Sequence, residues 1–366
     1  MCLVFYISGH GFGHATRSLQ LLAEIARRRP GLRLVLRTTV PEWFLRAGLD
    51  APFELVEGDT DTGVVQPDGL TIDAEDTARR AAGFYTGFDR LVAREAARLQ
   101  RLSATLVVGD IPPLAFAAAA EARLPSVAFG NFTWDWIYGG FSTFDTHAPG
   151  VRAAITRANA CATRTLRLPF AGGFHGMRAI EDIPLVARQA LLPRDETRRR
   201  LGLRDPRPVV LASFGGHGGS VPLGPAVDGS FLLVATDYEV PDGLDSPDIR
   251  IVSNRAMRDA GVSYTDLLAA ADAVVTKLGY GIVSECLANG VALLYTLRGD
   301  FIEQEVFMRE MPRVMRTRLI AQDELRQGAW GAPLQALLAQ PSPLGRPPLD
   351  GAGVAAERVV SLLQTR

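Results

Sequence analysis

Three times in this sequence an apolar run ends in a cluster of glycines and resumes as an amphipathic stretch, a pattern that few architectures other than a layered α/β fold accommodate. The clusters are Ser8-Gly9-His10-Gly11-Phe12-Gly13-His14, Ser213-Phe214-Gly215-Gly216-His217-Gly218-Gly219 and Lys277-Leu278-Gly279-Tyr280-Gly281-Ile282-Val283-Ser284-Glu285. Glycines at such turns let backbone amides approach a ligand closely. The order predicts mostly parallel sheets with helices on both faces and right-handed crossovers.

Leu3 to Ile7 reads as the first strand, Gly9 to Gly13 as its loop, and Thr16 to Arg28 as a helix turning Leu19, Leu22 and Ile25 inward; Leu32 to Arg37 returns as a strand. Thr105 to Gly109 and Ser126 to Phe129 are further strands, with the helix Pro113 to Ala122 between them. The Pro- and Gly-rich segment Pro169 to Arg194 carries no sustained period and reads as the connection between domains. Beyond it, Val209 to Ser213, Phe231 to Ala235, Ala273 to Thr276 and Ala292 to Thr296 read as strands, and Tyr264 to Ala271, Ile282 to Asn289 and Val354 to Leu363 as helices. The 366 residues fit two cores. A first Rossmann-like domain is expected at 1–168, a second at 169–345, and a closing helix at 346–366 that packs back on the first.

With 39 basic residues against 40 acidic ones, the protein has no general field for nucleic acid or anionic lipid, so any polyanion site is local. Cys2, Cys161 and Cys286 share no metal-ligand spacing, and their odd number argues against a disulfide framework; a cytoplasmic location is expected. The opening run Cys2 to Ser8 lacks a basic leader, and the longest apolar stretch, Leu114 to Ala122, contains Glu121 and is too short for a membrane span. The basic run Arg27 to Arg29 leaves a peripheral membrane contact open. No pattern specifies an oligomeric state.

His10 and His14 are spaced as metal ligands can be, but no third ligand lies near them in sequence, and no metal is expected. Asp110 closes the apolar run Leu106-Val107-Val108-Gly109 and reads either as a functional carboxylate or as a cap ahead of Pro112 and Pro113. A helix starting near Gly279 offers its amides to a diphosphate, Lys277 adds a compact cation, and Glu285 is placed to accept from a ribose diol. Asn131-Phe132-Thr133-Trp134-Asp135-Trp136-Ile137-Tyr138 reads as a wall for a sugar or apolar acceptor, or as core aromatics under a loop.

Through GHGFGHATR, NFTWDWIY and KLGYGIVSE the sequence resembles the GT-B glycosyltransferases, α/β proteins of two Rossmann-like domains facing each other across a cleft. It is similar to the plant UDP-glycosyltransferases and the peptidoglycan N-acetylglucosaminyltransferase, and especially to the glycosyltransferase-like N-terminal part of plant L-arabinokinases. The likeness covers most of the length. No segment offers the Gly/Ser-rich phosphate loop of the sugar kinases, so phosphoryl transfer is not expected.

The resemblance implies that His14 is the base that deprotonates an acceptor hydroxyl and that Asp110 orients it. It assigns His10, Gly11, Phe12, Asn131, Trp134 and Trp136 to the acceptor. Gly215, Gly216, His217, Lys277, Gly279, Tyr280, Gly281, Ser284 and Glu285 fall to the nucleotide diphosphate, and Glu303 and Gln304 to donor-sugar hydroxyls. It implies no cofactor, a nucleotide-diphosphate sugar as co-substrate with UDP as the default, and a small-molecule or lipid-linked acceptor. Gly281 and Ile282 replace polar phosphate contacts of the plant enzymes, which leaves those contacts to backbone amides. Retaining members often carry two glutamates eight apart, whereas Lys277 stands eight before Glu285, which points to inversion. Two other functions stay open. One is a non-catalytic nucleotide-sugar-binding regulatory module, which would have no use for a His14–Asp110 pair. The other is a nucleotide-sugar epimerase drawing on Asp300, Glu303 and Glu305.

Overall fold

The computed structural model describes residues 1–214, 223, 226, 228–236 and 246–364. The first half contains β1 Cys2–Ile7, β2 Arg33–Thr38, β3 Glu54–Glu57, β4 Val65–Asp68, β5 Thr71–Asp73, β6 Leu106–Asp110, β7 Ser126–Phe132, β8 Arg164–Gly172 and β9 Ile180–Asp182. Seven of these form one parallel sheet in the order β3-β2-β1-β6-β7-β8-β9, while β4 and β5 make an antiparallel hairpin. The second half contains β10 Val209–Ala212, β11 Leu232–Thr236, β12 Ile249–Val252, β13 Ala273–Lys277, β14 Ala292–Thr296 and β15 Thr317–Leu319. They form a parallel sheet in the order β12-β11-β10-β13-β14-β15.

Strands covered on both faces must be apolar throughout, and β1, β10, β11 and β14 are buried at every residue. In each sheet the leading strand, β1 or β10, has its successor on one side and a later strand, β6 or β13, on the other. Connections therefore leave toward opposite faces, and a crevice opens at the carboxyl ends of those two strands. The helix Phe12–Arg28 buries Leu19, Leu21, Leu22 and Ile25. It packs against the helix Tyr280–Asn289 of the second half and against the last helix, Gly351–Gln364. The hairpin also crosses between halves: Leu70 at its tip is buried in an apolar cluster with Phe214, Ile320 and Leu325. Gln322 Nε2 donates to the Leu70 carbonyl at 3.1 Å.

Three element boundaries differ from those expected. The first helix begins at Phe12 rather than Thr16, because Gly11, at φ 73°, makes the turn and Gly13 is carried inside the first helical turn. β7 runs on through Gly130, Asn131 and Phe132, since Asn131 finds side-chain partners that hold it in the strand. The tract 169–194 is not all connection. β8 extends to Gly172 past an irregularity between Gly130 and Phe132 of β7, where Pro169 needs no ladder hydrogen bond, and β9 joins the first sheet. The first sheet thus passes the 168 limit, and the crossing lies at 183–193, where Leu191 and Leu192 amides donate to Asp266 at 2.7 and 2.9 Å. No helix among the described residues is long and apolar enough to cross a membrane.

Candidate active site

Register places Ile7 of β1 beside Asp110 of β6, so the loop after β1 and the carboxylate ending β6 share the crevice of the first sheet. His14 sits in the first turn of the following helix, with Arg17 and Ser18 three and four residues on, the spacing that stacks side chains on one helix face. All three converge on Asp110, which is buried. His14 Nδ1 lies 3.0 Å from Asp110 Oδ1. Arg17 donates from Nε to Oδ2 at 2.8 Å and from Nη2 to Oδ1 at 2.6 Å, and Ser18 Oγ donates to Oδ2 at 2.9 Å. Asp110 does not cap the helix Pro113–Glu121, which has no side-chain cap.

Burial by itself would raise the Asp110 pKa, but the Arg17 charge and then His14 outweigh it and hold the carboxyl down at about 2. His14 Nδ1 faces two groups, Asp110 Oδ1 and Arg17 Nη2, each at 3.0 Å; when the imidazole donates to the ionised carboxylate, its lone pair is left on Nε2. Nε2 has no hydrogen-bond partner among the described residues.

A second carboxylate stands in the same crevice. Asp61, from the loop between β3 and β4, accepts from Ser8 Oγ at 3.0 Å and from Trp134 Nε1 at 2.9 Å. Burial pushes its pKa up to about 6, with the His14 charge and those two hydrogen bonds opposing the rise. The Trp134 ring lies 6.2 Å from that of His14 and 5.8 Å from that of His10. His10 Nδ1 accepts from the Val64 amide at 3.4 Å. Phe12 stacks on Phe44 at 4.4 Å. Of the aromatic segment, Trp134 is fully buried, packed against Phe132 and Tyr138 with its indole N–H on Asp61, so it is a core aromatic behind the crevice rather than an exposed wall, and the Trp136 ring lies against Gly172 and Gly173.

The second half meets this site glycine to glycine: a Cβ on Gly281 would lie 3.5 Å from the Gly13 Cα, so the two backbones come within van der Waals reach of one added side-chain atom. The helix Tyr280–Asn289 starts there after Gly279, with no side-chain cap and no acid in its first turn, which leaves its end amides and positive dipole end free for an anion. The Tyr280 ring lies beneath Arg17, 4.9 Å from the guanidinium carbon. Asn131, buried at the end of β7, accepts from Arg17 Nη1 at 2.5 Å and donates from Nδ2 to Glu303 at 2.7 Å.

No family model matches this sequence. The L-arabinokinase of Arabidopsis thaliana is 30% identical over 317 residues, covering 85% of the present protein. The protein spans only 29% of that relative's length. Among solved structures, CalG4, the calicheamicin glycosyltransferase, superposes with a TM-score of 0.63 at 18% identity, covering 99% of this protein and 93% of that one. The glycosyltransferase VinC in complex with dTDP gives 0.59 at 17% identity over 100% and 96%. UGT89C1 of Arabidopsis thaliana complexed with UDP gives 0.59 at 15% over 100% and 95%. The protein has the GT-B fold.

Within this GT-B frame, several residues expected at the donor are turned to internal contacts. Ser284 Oγ donates to the Gly281 carbonyl at 2.9 Å. Gln304 accepts from the Arg298 amide at 2.7 Å and donates to the Gly299 carbonyl at 3.0 Å, so both ends of its amide hold a loop. Glu285 accepts from Arg188 Nε at 2.6 Å. Of the three carboxylates an epimerase would draw on, Glu303 is buried, whereas Asp300 and Glu305 are exposed. Gly215, Gly216 and His217 lie outside the described residues. Among the described residues there is no group of three or more His, Cys, Asp or Glu that could hold a metal. Arg17, Ser18, Asp61, Arg188 and Arg298 are absent from the sequence-based assignment. Only Arg17 and Ser18 carried a local signal, their helical spacing from His14.

Proposed function

We propose that this protein is an inverting, metal-independent glycosyltransferase that moves a sugar from a nucleotide-diphosphate sugar, with UDP as the default nucleotide, to an acceptor hydroxyl. The observation that carries the reading is the buried His14–Asp110 pair. An ionised carboxylate on Nδ1 fixes the tautomer and leaves Nε2 able to take a proton. The acceptor oxygen attacks the anomeric carbon as Nε2 removes its proton, the bond from that carbon to the diphosphate breaks, and the diphosphate leaves with the electron pair. One displacement inverts the anomeric centre. The Gly279 helix end and Lys277 stabilise the leaving charge in the place a divalent ion would take. The nucleotide complexes of VinC and UGT89C1 support a nucleotide-bound donor on this fold. The half-buried His10, backed by the fully buried Trp134, offers the acceptor an aromatic edge.

The pairing of Glu285 with Arg188 and of Glu303 with Asn131 favours one other reading, a binding module whose donor acids serve structure. A single assay separates the two. Wild type and His14→Ala are incubated with UDP-sugars and an acceptor panel in EDTA, and the product anomer is assigned by NMR. Transfer with inversion by wild type, and a loss of at least about a hundredfold in His14→Ala with donor binding kept, is expected. Donor binding without transfer by wild type would leave the binding module, and retention of configuration would remove His14 as the base.

A further inference from the structure

Arg298 stands just past the carboxyl end of β14, and its guanidinium makes no hydrogen bond among the described residues. Its Nε is buried without a partner, and its closest carboxylate, Glu303, is 3.9 Å from Nη2. The side chain is only 11% exposed, and its guanidinium carbon lies over Phe301, 4.5 Å from the ring centroid. A guanidinium has five N–H donors, and withdrawing them from water unmatched costs free energy unless a ligand supplies acceptors.

The adjacent strand supplies a second cation in the same condition. Lys277 ends β13 in register with Thr296, two residues before Arg298. Its ammonium has no hydrogen bond or ion pair among the described residues. Burial and then the Arg298 charge both disfavour its protonated form, while Asp68 favours it from the hairpin tip. The Asp68 carboxylate is itself engaged, accepting from the Leu70 amide and Thr71 Oγ. Two neighbouring, withdrawn cations whose facing carboxylates, Glu303 at 3.9 Å and the already engaged Asp68, do not hydrogen-bond them leave their N–H donors for the oxygens of an anion. The uncapped helix Tyr280–Asn289 begins three residues after Lys277 and adds a third source of positive potential.

We propose that Lys277 and Arg298 together form the cationic seat of the donor diphosphate, with Arg298 as the second, bidentate contact; the assignment rests on the donor reading above. Arginine suits the place because its planar fork matches two phosphate oxygens at once, and because it stays charged beside a lysine. Neutralising the diphosphate with two side chains also supplies the leaving group's stabilisation from the protein itself.

The test is calorimetry and thermal unfolding of wild type, Arg298→Gln and Arg298→Met with UDP, inorganic pyrophosphate and uridine. Without ligand, both variants should unfold near the wild-type temperature, since the guanidinium removed makes no hydrogen bond and only a long ion pair with Glu303. Affinity for UDP and for pyrophosphate should fall by about tenfold or more, the loss expected for charge-assisted bonds, with uridine binding unchanged. Unchanged UDP and pyrophosphate affinity in both variants overturns the assignment. If wild type binds no nucleoside diphosphate at all, the donor reading fails first, and that result is distinct from the others.

Discussion

Asn131 donates from Nδ2 to the Glu303 carboxylate at 2.7 Å, a buried bond that joins the last residues of β7 to the second half of the molecule. The same amide accepts from Arg17, and Arg17 holds Asp110, so four buried side chains run without a break from the proposed base to the second half. A buried polar network of this kind is rigid while every member is matched, and it fails as a unit when one is removed. It fixes where His14 stands relative to the helix that would receive the diphosphate.

Asn131→Ala would leave a guanidinium donor and a carboxylate acceptor unmatched in the interior. The expected loss is about 3 kcal/mol in urea unfolding, and Glu303→Gln, which keeps an acceptor oxygen, should lose less. A double-mutant cycle with Glu303→Ala should show a coupling of about 1 kcal/mol or more. Additive effects would mean that the bond does not link the halves.

The alternation of strands and helices was legible because parallel strands covered on both faces are continuous apolar runs, as β1 and β14 are. The ends were less so. Gly13 reads as loop and the strand from Ser126 as ending at Phe129, yet Gly13 lies inside a helix and the strand runs on through Gly130 to Phe132. His14 and Asp110 could be named because the resemblance carried by GHGFGHATR implies the first, and the second closes an apolar run at a strand's carboxyl end. Asp61 could not, since it comes from an irregular loop and acquires its role only from Ser8 and Trp134, 53 and 73 residues away. The pairing of Glu285 likewise depends on Arg188, 97 residues away, and nothing local to either residue announces it.

The Asp110 carboxyl has a definite signature in acid. Its folded pKa of about 2 lies below the unfolded value of about 3.9, so the folded state binds fewer protons between those values. The stability this contributes, about 2–3 kcal/mol, is fully present above about pH 4 and is lost as pH falls through 2. Asp110→Asn should remove that acid dependence. It should also cost about 3–5 kcal/mol at neutral pH, because Arg17 is left buried without its counter-ion. Urea midpoints between about pH 2 and 7 check this; a variant as acid-sensitive as wild type would move the dependence to another group.

Asp61 should behave with the opposite sign. Its pKa is raised to about 6, so between about pH 4 and that value the folded state binds more protons than the unfolded one. Stability from this group is greatest below about pH 4 and declines as pH rises through 6, leaving a half-buried carboxylate at a net disadvantage at neutral pH. Asparagine can keep both contacts, with Oδ1 accepting from Trp134 Nε1 and the amide donating to Ser8 Oγ, whose hydroxyl can accept as well as donate. Asp61→Asn should therefore raise Tm at about pH 7.5 and change it little at about pH 4. Equal shifts at both pH values would show that the effect is one of packing rather than charge. If the variant also loses transfer at neutral pH, the raised carboxyl has a part in holding the acceptor, and its ionisation should then appear as a limb near pH 6 in the wild-type kcat/KM profile that the variant lacks.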